Sequence, residues 1–245
     1  MNSLVEITIP ILNEESTLFQ QVRKVHLYIE TNLSDLGPIR IILADNGSTD
    51  KTPEIARSLT QELTNVHYLR LEQRGVGRAL KASWELSKAD IIGYMDLDLA
   101  TDLRYLRPAL EKLRSDSADI VTGSRLAKGA RVIGRTPLRN FTSRCFNLIV
   151  KAMFQISFSD GMCGFKFLKR SCLDDLKAAG AQSDGWFFAT EILITGEYLG
   201  YRVNDLAVEW TDDPDSKVKI GALAIEYIKA MQVLRGRLPK RKSVA

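Results

Sequence analysis

Histidine and cysteine are scarce in this chain: two of the first and three of the second among 245 residues. His26 and His67 lie far apart in sequence, which argues against a histidine-based zinc site. Cys145, Cys163 and Cys172 are odd in number and form no Cys-x-x-Cys pair. No disulfide framework is expected, and the pattern suits a reducing compartment. No apolar run of about 18 residues occurs, so no membrane-spanning helix is expected. The opening MNSLVEITIPILNEE has no basic leader and turns acidic at once, so a signal peptide is not expected. Internal repeats and low-complexity stretches are also absent.

What is present is ordinary for a folded protein. Hydrophobic residues make up 45% and charged residues 26%, which excludes collagen-like, disordered and disulfide-miniprotein classes. The length suggests one large domain or two small ones. The net charge of +4, from 34 basic and 30 acidic residues, is too small to argue for nucleic acid. Its placement says more. From Lys229 to the end there are six Lys or Arg and no acid. Such a stretch is either a solvated tail or a polybasic segment suited to an anionic membrane.

Strands and helices alternate through the first half. VEITIPIL (5–12), IRIILAD (39–45), VHYLRLE (66–72), DIIGYMDLD (90–98) and ADIVTGSR (118–125) read as strands. Helices are expected between them, the first with Leu18, Val22, Val25 and Ile29 on one face, the second capped by Thr49 or Asp50. Alternation of this kind implies βαβ units and a mainly parallel sheet with helices around it. Ligands sit at the C-terminal ends of strands in such sheets. The polar motifs fall at those ends: Asn13-Glu14, Asp45-Asn46, Asp96 with Asp98, and Arg125. Chance would scatter them over both ends.

The second half reads less regularly. Residues 140–158 have helical length and are apolar on most faces, with Arg144 and Lys151 the only charges. This is a buried core helix or one lying in a membrane interface. Helices are expected near 171–179 and 220–235, and a strand near 202–210.

Several motifs carry chemistry. Asp96 and Asp98 form a DxD that can reach one hard cation, and such a cation neutralises a leaving diphosphate. Asp45 to Asp50 is either a capped turn or a site where Asp45 accepts from a base or ribose. Gly75-Val76-Gly77 lets backbone approach a ligand closely, but it lacks the third glycine of a dinucleotide fingerprint. Arg125, Arg135, Arg139 and Arg144 form a basic run; Arg125 ends a strand on the ligand side, where a guanidinium fork suits phosphate.

In order, PILNE (10–14), DNGSTD (45–50), GVGRA (75–79), DLDLA (96–100) and GSR (123–125) resemble the family 2 inverting glycosyltransferases of the GT-A fold. CGFK (163–166), GWFFATE (185–191) and DSKV (215–218) look like its polyprenyl-phosphate branch, which includes dolichyl-phosphate mannose synthases and glucosyltransferases. CGFK is similar to the glucosyltransferase side. Each motif is weak; eight in the right order are specific.

The resemblance implies a single GT-A domain over 1–235, with a nucleotide-sugar half (1–125), an acceptor and membrane-interface half (126–235) and a basic tail (236–245). It implies transfer of a hexose, glucose or mannose, to a dolichyl- or undecaprenyl-type phosphate. UDP-glucose is the favoured donor and GDP-mannose the next. Pro10, Leu12, Asn13, Glu14, Asp45, Asn46, Gly75, Gly77, Asp96 and Lys217 would bind the nucleotide-sugar, with Asp45 holding the base. Asp96 and Asp98 would hold Mg²⁺ or Mn²⁺. Asp98, Arg125, Arg139, Lys166 and Glu191 would be catalytic, the basic ones gripping phosphates. Ser216-Lys217 would close over the site. The helix near 140–158 would lie on the cytoplasmic face of a membrane, making the protein peripheral and cytoplasmic; a homo-oligomer or a membrane-protein partner fits this picture, and nucleic acid does not.

Two positions depart from the family pattern. Ala100 stands where mannose synthases often carry Gln, and Ala189 where glucosyltransferase-like relatives commonly carry Asp. The alternatives are a glycosyltransferase with a non-lipid acceptor, and a catalytically weak nucleotide-sugar-binding subunit of a membrane complex. A nucleotidyltransferase would need a Gly-rich N-terminal loop with Arg or Lys, which PILNEES does not offer.

Overall fold

A computed structural model describes residues 3–212 and 220–240, with only the helical backbone described over 220–225. The chain begins as the alternation predicts. Strand β1 (Val5–Ile11) leads to α1 (Leu18–Asn32), β2 (Ile39–Asp45), α2 (Thr52–Glu62), β3 (Val66–Arg70), α3 (Val76–Leu86) and β4 (Ile91–Met95). Then follow α4 (Leu106–Arg114), β5 (Ile120–Ser124), β6 (Arg131–Ile133), α5 (Pro137–Phe154), β7 (Phe165–Lys169), α6 (Leu173–Ala178) and α7 (Phe188–Leu199). Strands β8 (Val203–Ala207) and β9 (Glu209–Thr211) precede α8 (Ile220–Arg237).

Seven strands form one sheet in the order β3-β2-β1-β4-β7-β5-β8. All its pairings are parallel except those of β7, which runs antiparallel between β4 and β5. Strands β6 and β9 pair separately. Two apolar layers sandwich the sheet. One packs α1, α2 and α4 through Leu18, Val22, Ala56, Leu59 and Leu110. The other packs α3, α5, α6, α7 and α8 through Trp84, Val150, Leu176, Phe188 and Tyr227. The buried face of α1 is Leu18, Val22, Val25 and Ile29, at the expected spacing.

Four features differ from the expected pattern. The fourth strand ends at Met95, so Asp96 and Asp98 stand on the turn beyond it. GWFFATEILITGEYLG, read only as a segment, contains α7, whose residues from Phe188 to Glu197 are all buried; a helix buried on every side has no amphipathic stripe to read. FKFLK forms the antiparallel β7 in the middle of the sheet. The expected strand at 202–210 is two strands in two sheets.

Helix α5 starts three residues earlier than expected and stops at Phe154. Thr136 caps it by accepting from Arg139 N, with Pro137 in its first turn. It is neither wholly buried nor wholly exposed. Ser143, Asn147, Val150 and Phe154 face inward, while Leu138, Phe141, Leu148 and Ile149 are exposed.

Candidate active site

The C-terminal ends of β1, β2 and β4 bring the polar motifs together. The PILNE turn is stitched to the DNGSTD turn. Asn13 takes a left-handed conformation (φ 55°), tolerable for asparagine. Its N–H donates to Ser48 Oγ at 3.0 Å and its Oδ1 accepts from Thr49 N at 2.8 Å. Glu14 N donates to Thr52 Oγ1 at 2.7 Å. Pro10 is half-buried and Leu12 exposed on this rim.

Asp45 is not available to a base in this conformation. It is fully buried, and its oxygens accept from Tyr68 Oη (2.6 Å), Arg70 Nη1 (2.9 Å) and Ser48 N (2.8 Å). Its neighbour Asn46 is also buried, but its Oδ1 has no partner among the described residues. Of the two, Asn46 is the residue with an acceptor to offer.

Gly75 and Gly77 pack against the chain's own backbone. The close approach that they permit is made by the chain itself. A Cβ on Gly77 would lie 2.3 Å from the Ser183 carbonyl oxygen, and one on Gly75 2.4 Å from that of Asp184. The first N–H groups of α3 are satisfied there: Gly77 N donates to Gly185 O and Arg78 N to Asp184 O. Glu191 braces the same loop. Its buried carboxylate accepts from Gln182 N and Ser183 N, both at 2.8 Å, and from Ser183 Oγ. Burial raises its pKa. Its place is that of a positioning residue, not of a group reaching a reacting atom.

The DxD stands beside the CGFK turn. Asp96 N donates to Gly164 O at 3.1 Å, and a Cβ on Gly164 would lie 1.7 Å from Asp96 Oδ2. Only glycine leaves room for that carboxylate. Asp98 is exposed and accepts from Ala100 N through Oδ1. Burial and then the nearby Asp98 push the Asp96 carboxyl up to about 7. Two hard oxygen ligands, one held at this cost, fit a divalent cation whose remaining positions go to phosphate oxygens or water. Among the described residues no cluster of three or more His, Cys, Asp or Glu could hold a metal. A crevice too tight to admit a water molecule runs between Asp96, Asp98, Ala100, Thr101, Gly164 and Trp210.

The basic residues are held more tightly than the sequence suggests. Arg125 forms a forked pair with Asp160, Nε to Oδ2 at 2.7 Å and Nη2 to Oδ1 at 3.0 Å. Its guanidinium stacks 4.8 Å from the Trp210 ring centroid. Asp160 is fully buried, and Arg125 holds its pKa down at about 2 against the cost of burial. Lys166, on β7, is also buried. Its Nζ donates to Cys163 O at 2.5 Å and lies 5.8 Å from the Tyr94 ring centroid, and burial lowers its pKa. Lys166 thus holds the turn that carries Gly164 and is not exposed to a ligand. Arg139 pairs with Asp212 at 2.8 Å. Ser216 and Lys217 lie outside the described residues, as does the end of the basic tail from 241.

Asp160 and Trp210 escaped the sequence reading. Asp160 stands three residues before CGFK in a polar run, a usable signal. Trp210 has none, because VEWT reads only as the end of a strand.

The sequence profile described as Glycosyl transferase family 2 matches residues 6–177. The chain belongs to glycosyl transferase family 2. This glycosyltransferase is 34% identical over 217 residues to Glycosyltransferase AglD of Haloferax volcanii, covering 88% of this chain and 34% of that protein. It is 27% identical over 233 residues to dolichyl-phosphate beta-glucosyltransferase ALG5C of Trichomonas vaginalis, covering 92% and 69%. With the Dictyostelium discoideum dolichyl-phosphate beta-glucosyltransferase it shares 28% over 246 residues, covering 96% and 75%. The chain thus spans about a third of AglD and about seven tenths of the other two. Glucosyl-3-phosphoglycerate synthase of Mycobacterium tuberculosis, solved with Mn²⁺, UDP and glucosyl-3-phosphoglycerate, superposes with a TM-score of 0.70 at 18% identity, covering 97% of this chain and 81% of that one. The shared architecture is the GT-A fold expected from the motifs.

Proposed function

We propose that this glycosyltransferase moves a hexose from a nucleotide-sugar to a polyprenyl phosphate at a membrane surface. One observation carries the acceptor class. Helix α5 joins an anion-binding face to an exposed apolar one. On its inner side it carries Arg139, Ser143 and Asn147, and Asn147 Oδ1 accepts from Gly161 N beside Asp160. Ser143 Oγ is buried with no partner among the described residues. Just before the helix, Arg135 has two buried guanidinium nitrogens without partners among the described residues. Burial, with Arg125 nearby, lowers its pKa. Buried donors left empty are costly, so the arrangement favours an arriving anion. On its outer side the same helix exposes Leu138, Phe141, Leu148 and Ile149 and carries basic residues but no acid. A phosphate head on an apolar tail matches both faces. The relatives named dolichyl-phosphate beta-glucosyltransferase support the same acceptor.

Among the described residues no helix is long and apolar enough to cross a membrane. Contact with the bilayer would therefore be made by the outer face of α5 and by the basic end of α8, where Arg235 and Arg237 lie.

The donor would occupy the DxD end of the sheet, its base beside Asn46. UDP-glucose is favoured by the relatives' names and by the Mn²⁺–UDP complex of the structural neighbour; GDP-mannose comes next. Asp96 and Asp98 would hold the divalent cation, Mg²⁺ or Mn²⁺. Bound there, it supplies neutralisation of charge on the departing diphosphate. The acceptor phosphate is already anionic and needs no general base. Its oxygen forms a bond to C1 of the sugar; the C1–O bond to the diphosphate breaks and its electron pair leaves with the nucleoside diphosphate. Attack and departure on opposite faces invert the anomeric centre. The protein's share is positioning and charge compensation. Arg139 and Arg135 would hold the acceptor phosphate, with Arg125 fixed between them and the DxD. Transfer of labelled hexose to a short-chain polyprenyl phosphate tests the reading. A soluble phosphate acceptor labelled in its place would support a non-lipid acceptor.

A further inference from the structure

We infer that Trp210 is a donor-contacting residue whose indole N–H hydrogen-bonds an oxygen of the nucleotide-sugar held at the DxD. The inference rests on the donor reading above. Trp210 is 7% exposed and lines the DxD cleft with Asp96, Asp98 and Gly164. Its Nε1 is buried and has no acceptor among the described residues. Buried indole N–H groups are normally partnered, because the desolvated donor is otherwise a standing cost.

The indole of Trp84 is also unpartnered, so the orphan donor alone decides nothing. Trp84 lies in the second apolar layer between the rings of Tyr94 and Phe188 and lines no described cleft. Trp210 belongs to the first apolar layer and differs from Trp84 in bordering the DxD carboxylates. Its backbone is bridged to Thr101. Thr211 N donates to Ala100 O at 2.8 Å and Asp102 N to Glu209 O at 3.3 Å. The strand carrying Trp210 is therefore stitched to the turn that carries Asp98. One ring face is occupied by the Arg125 guanidinium, which removes that face from sugar stacking. The oxygens expected in this cleft belong to the diphosphate and to the sugar attached to it. Both are hydrogen-bond acceptors, and a site that bonds a substrate oxygen discriminates against donors lacking it.

Trp210→Phe keeps a ring against Arg125 and deletes only the N–H. Calorimetry with UDP, UDP-glucose, GDP and GDP-mannose in the presence of Mg²⁺ reads the effect beside thermal unfolding of the ligand-free protein. The inference predicts an unchanged or raised Tm and about tenfold weaker donor binding. Loss for the nucleoside diphosphate and the nucleotide-sugar alike assigns the bond to a phosphate oxygen; loss for the nucleotide-sugar alone assigns it to a hexose hydroxyl. Unchanged affinity for both overturns it. If the variant fails to fold, the wild-type chain still answers. It has three tryptophans, so a ¹⁵N-indole spectrum holds three resonances, two of them assigned by Trp84→Phe and Trp186→Phe. The Trp210 resonance must shift at saturating nucleotide-sugar, and an unmoved one overturns the inference. No Mg²⁺-dependent binding of any of the four nucleotides by the wild-type protein would instead remove the donor reading itself.

Discussion

Gly164 lies directly beneath the carboxylate of Asp96: a single added methyl would sit 1.7 Å from Oδ2. The pairing explains how a weak-looking CGFK turn and a weak-looking DxD become one site. Strand β7 runs antiparallel beside β4, with Met95 opposite Phe165, so the turn before β7 meets the turn after β4. Gly164→Ala should therefore displace the Asp96 side chain and leave the sheet standing. Metal-dependent nucleotide binding should weaken at least about tenfold, while circular dichroism stays unchanged. Calorimetry with Mn²⁺ and UDP or GDP checks it.

The raised pKa of Asp96, about 7, predicts opposite pH trends for metal binding and for stability. A cation must displace the proton, so metal affinity should fall about tenfold per pH unit below 7 and level off above it. For the ligand-free protein, the folded state keeps a proton that the unfolded state has lost between about pH 4 and pH 7. Stability therefore declines across that window as pH rises. Asp96→Asn should remove the decline, making the variant the more stable protein at pH 8 and its equal near pH 4. Urea unfolding at a series of pH values measures this.

Asp160 and Arg125 form a buried pair, and breaking one side strands the other charge. Asp160→Asn should cost about 3–5 kcal/mol. Arg125→Met in the same background should recover part of the loss, because no stranded charge remains. The Asp160 carboxyl sits lower than in the unfolded chain, at about 2. Its stabilisation is full above the ordinary carboxylate range and fades as pH falls toward 2. A double-mutant cycle by chemical denaturation separates the pair from its members.

Gly77→Ala should destabilise the fold by about 1–3 kcal/mol, because the new methyl meets the Ser183 and Gly185 carbonyl oxygens at 2.3 and 2.7 Å. If the glycine served only a ligand, the substitution would weaken nucleotide binding and leave stability alone. Denaturation midpoints and nucleotide affinity, measured together, distinguish the two.

The outer face of α5 should hold the protein to anionic vesicles. Replacing Leu138, Phe141 and Leu148 with serine should reduce cosedimentation by about tenfold or more at unchanged Tm. Added salt should weaken binding by the wild-type chain, through Arg144, Lys151 and the basic end of α8. Equal sedimentation of both proteins would count against the membrane-facing role.

The sequence made the parallel half of the sheet legible because buried β-branched strands alternate with amphipathic helices there. The ligand-side ends of those strands could be read for the same reason. Helix α7 could not, since a helix buried on every side carries no periodic polar face. The antiparallel β7 was hidden because FKFLK is short and its two lysines mask a central strand. Some features that the sequence motifs offer to a ligand are also used by the chain itself. Gly75 and Gly77 accommodate the 183–185 loop, Glu191 braces it, and Asp45 is consumed by Tyr68 and Arg70. A sequence motif marks close approach or fixed charge without saying what approaches. Ala189, the departure from the family pattern, lies buried in the second apolar layer, where an aspartate would need partners of its own.

The most direct test is transfer of labelled hexose from UDP-glucose and GDP-mannose to a short polyprenyl phosphate with Mg²⁺ or Mn²⁺, beside a soluble phosphorylated acceptor and the Asp98→Ala variant. Sugar transfer through the DxD to a lipid phosphate predicts labelled lipid from one donor, dependent on the cation and lost in the variant. Label in the soluble acceptor alone, or undiminished label in Asp98→Ala, would contradict it.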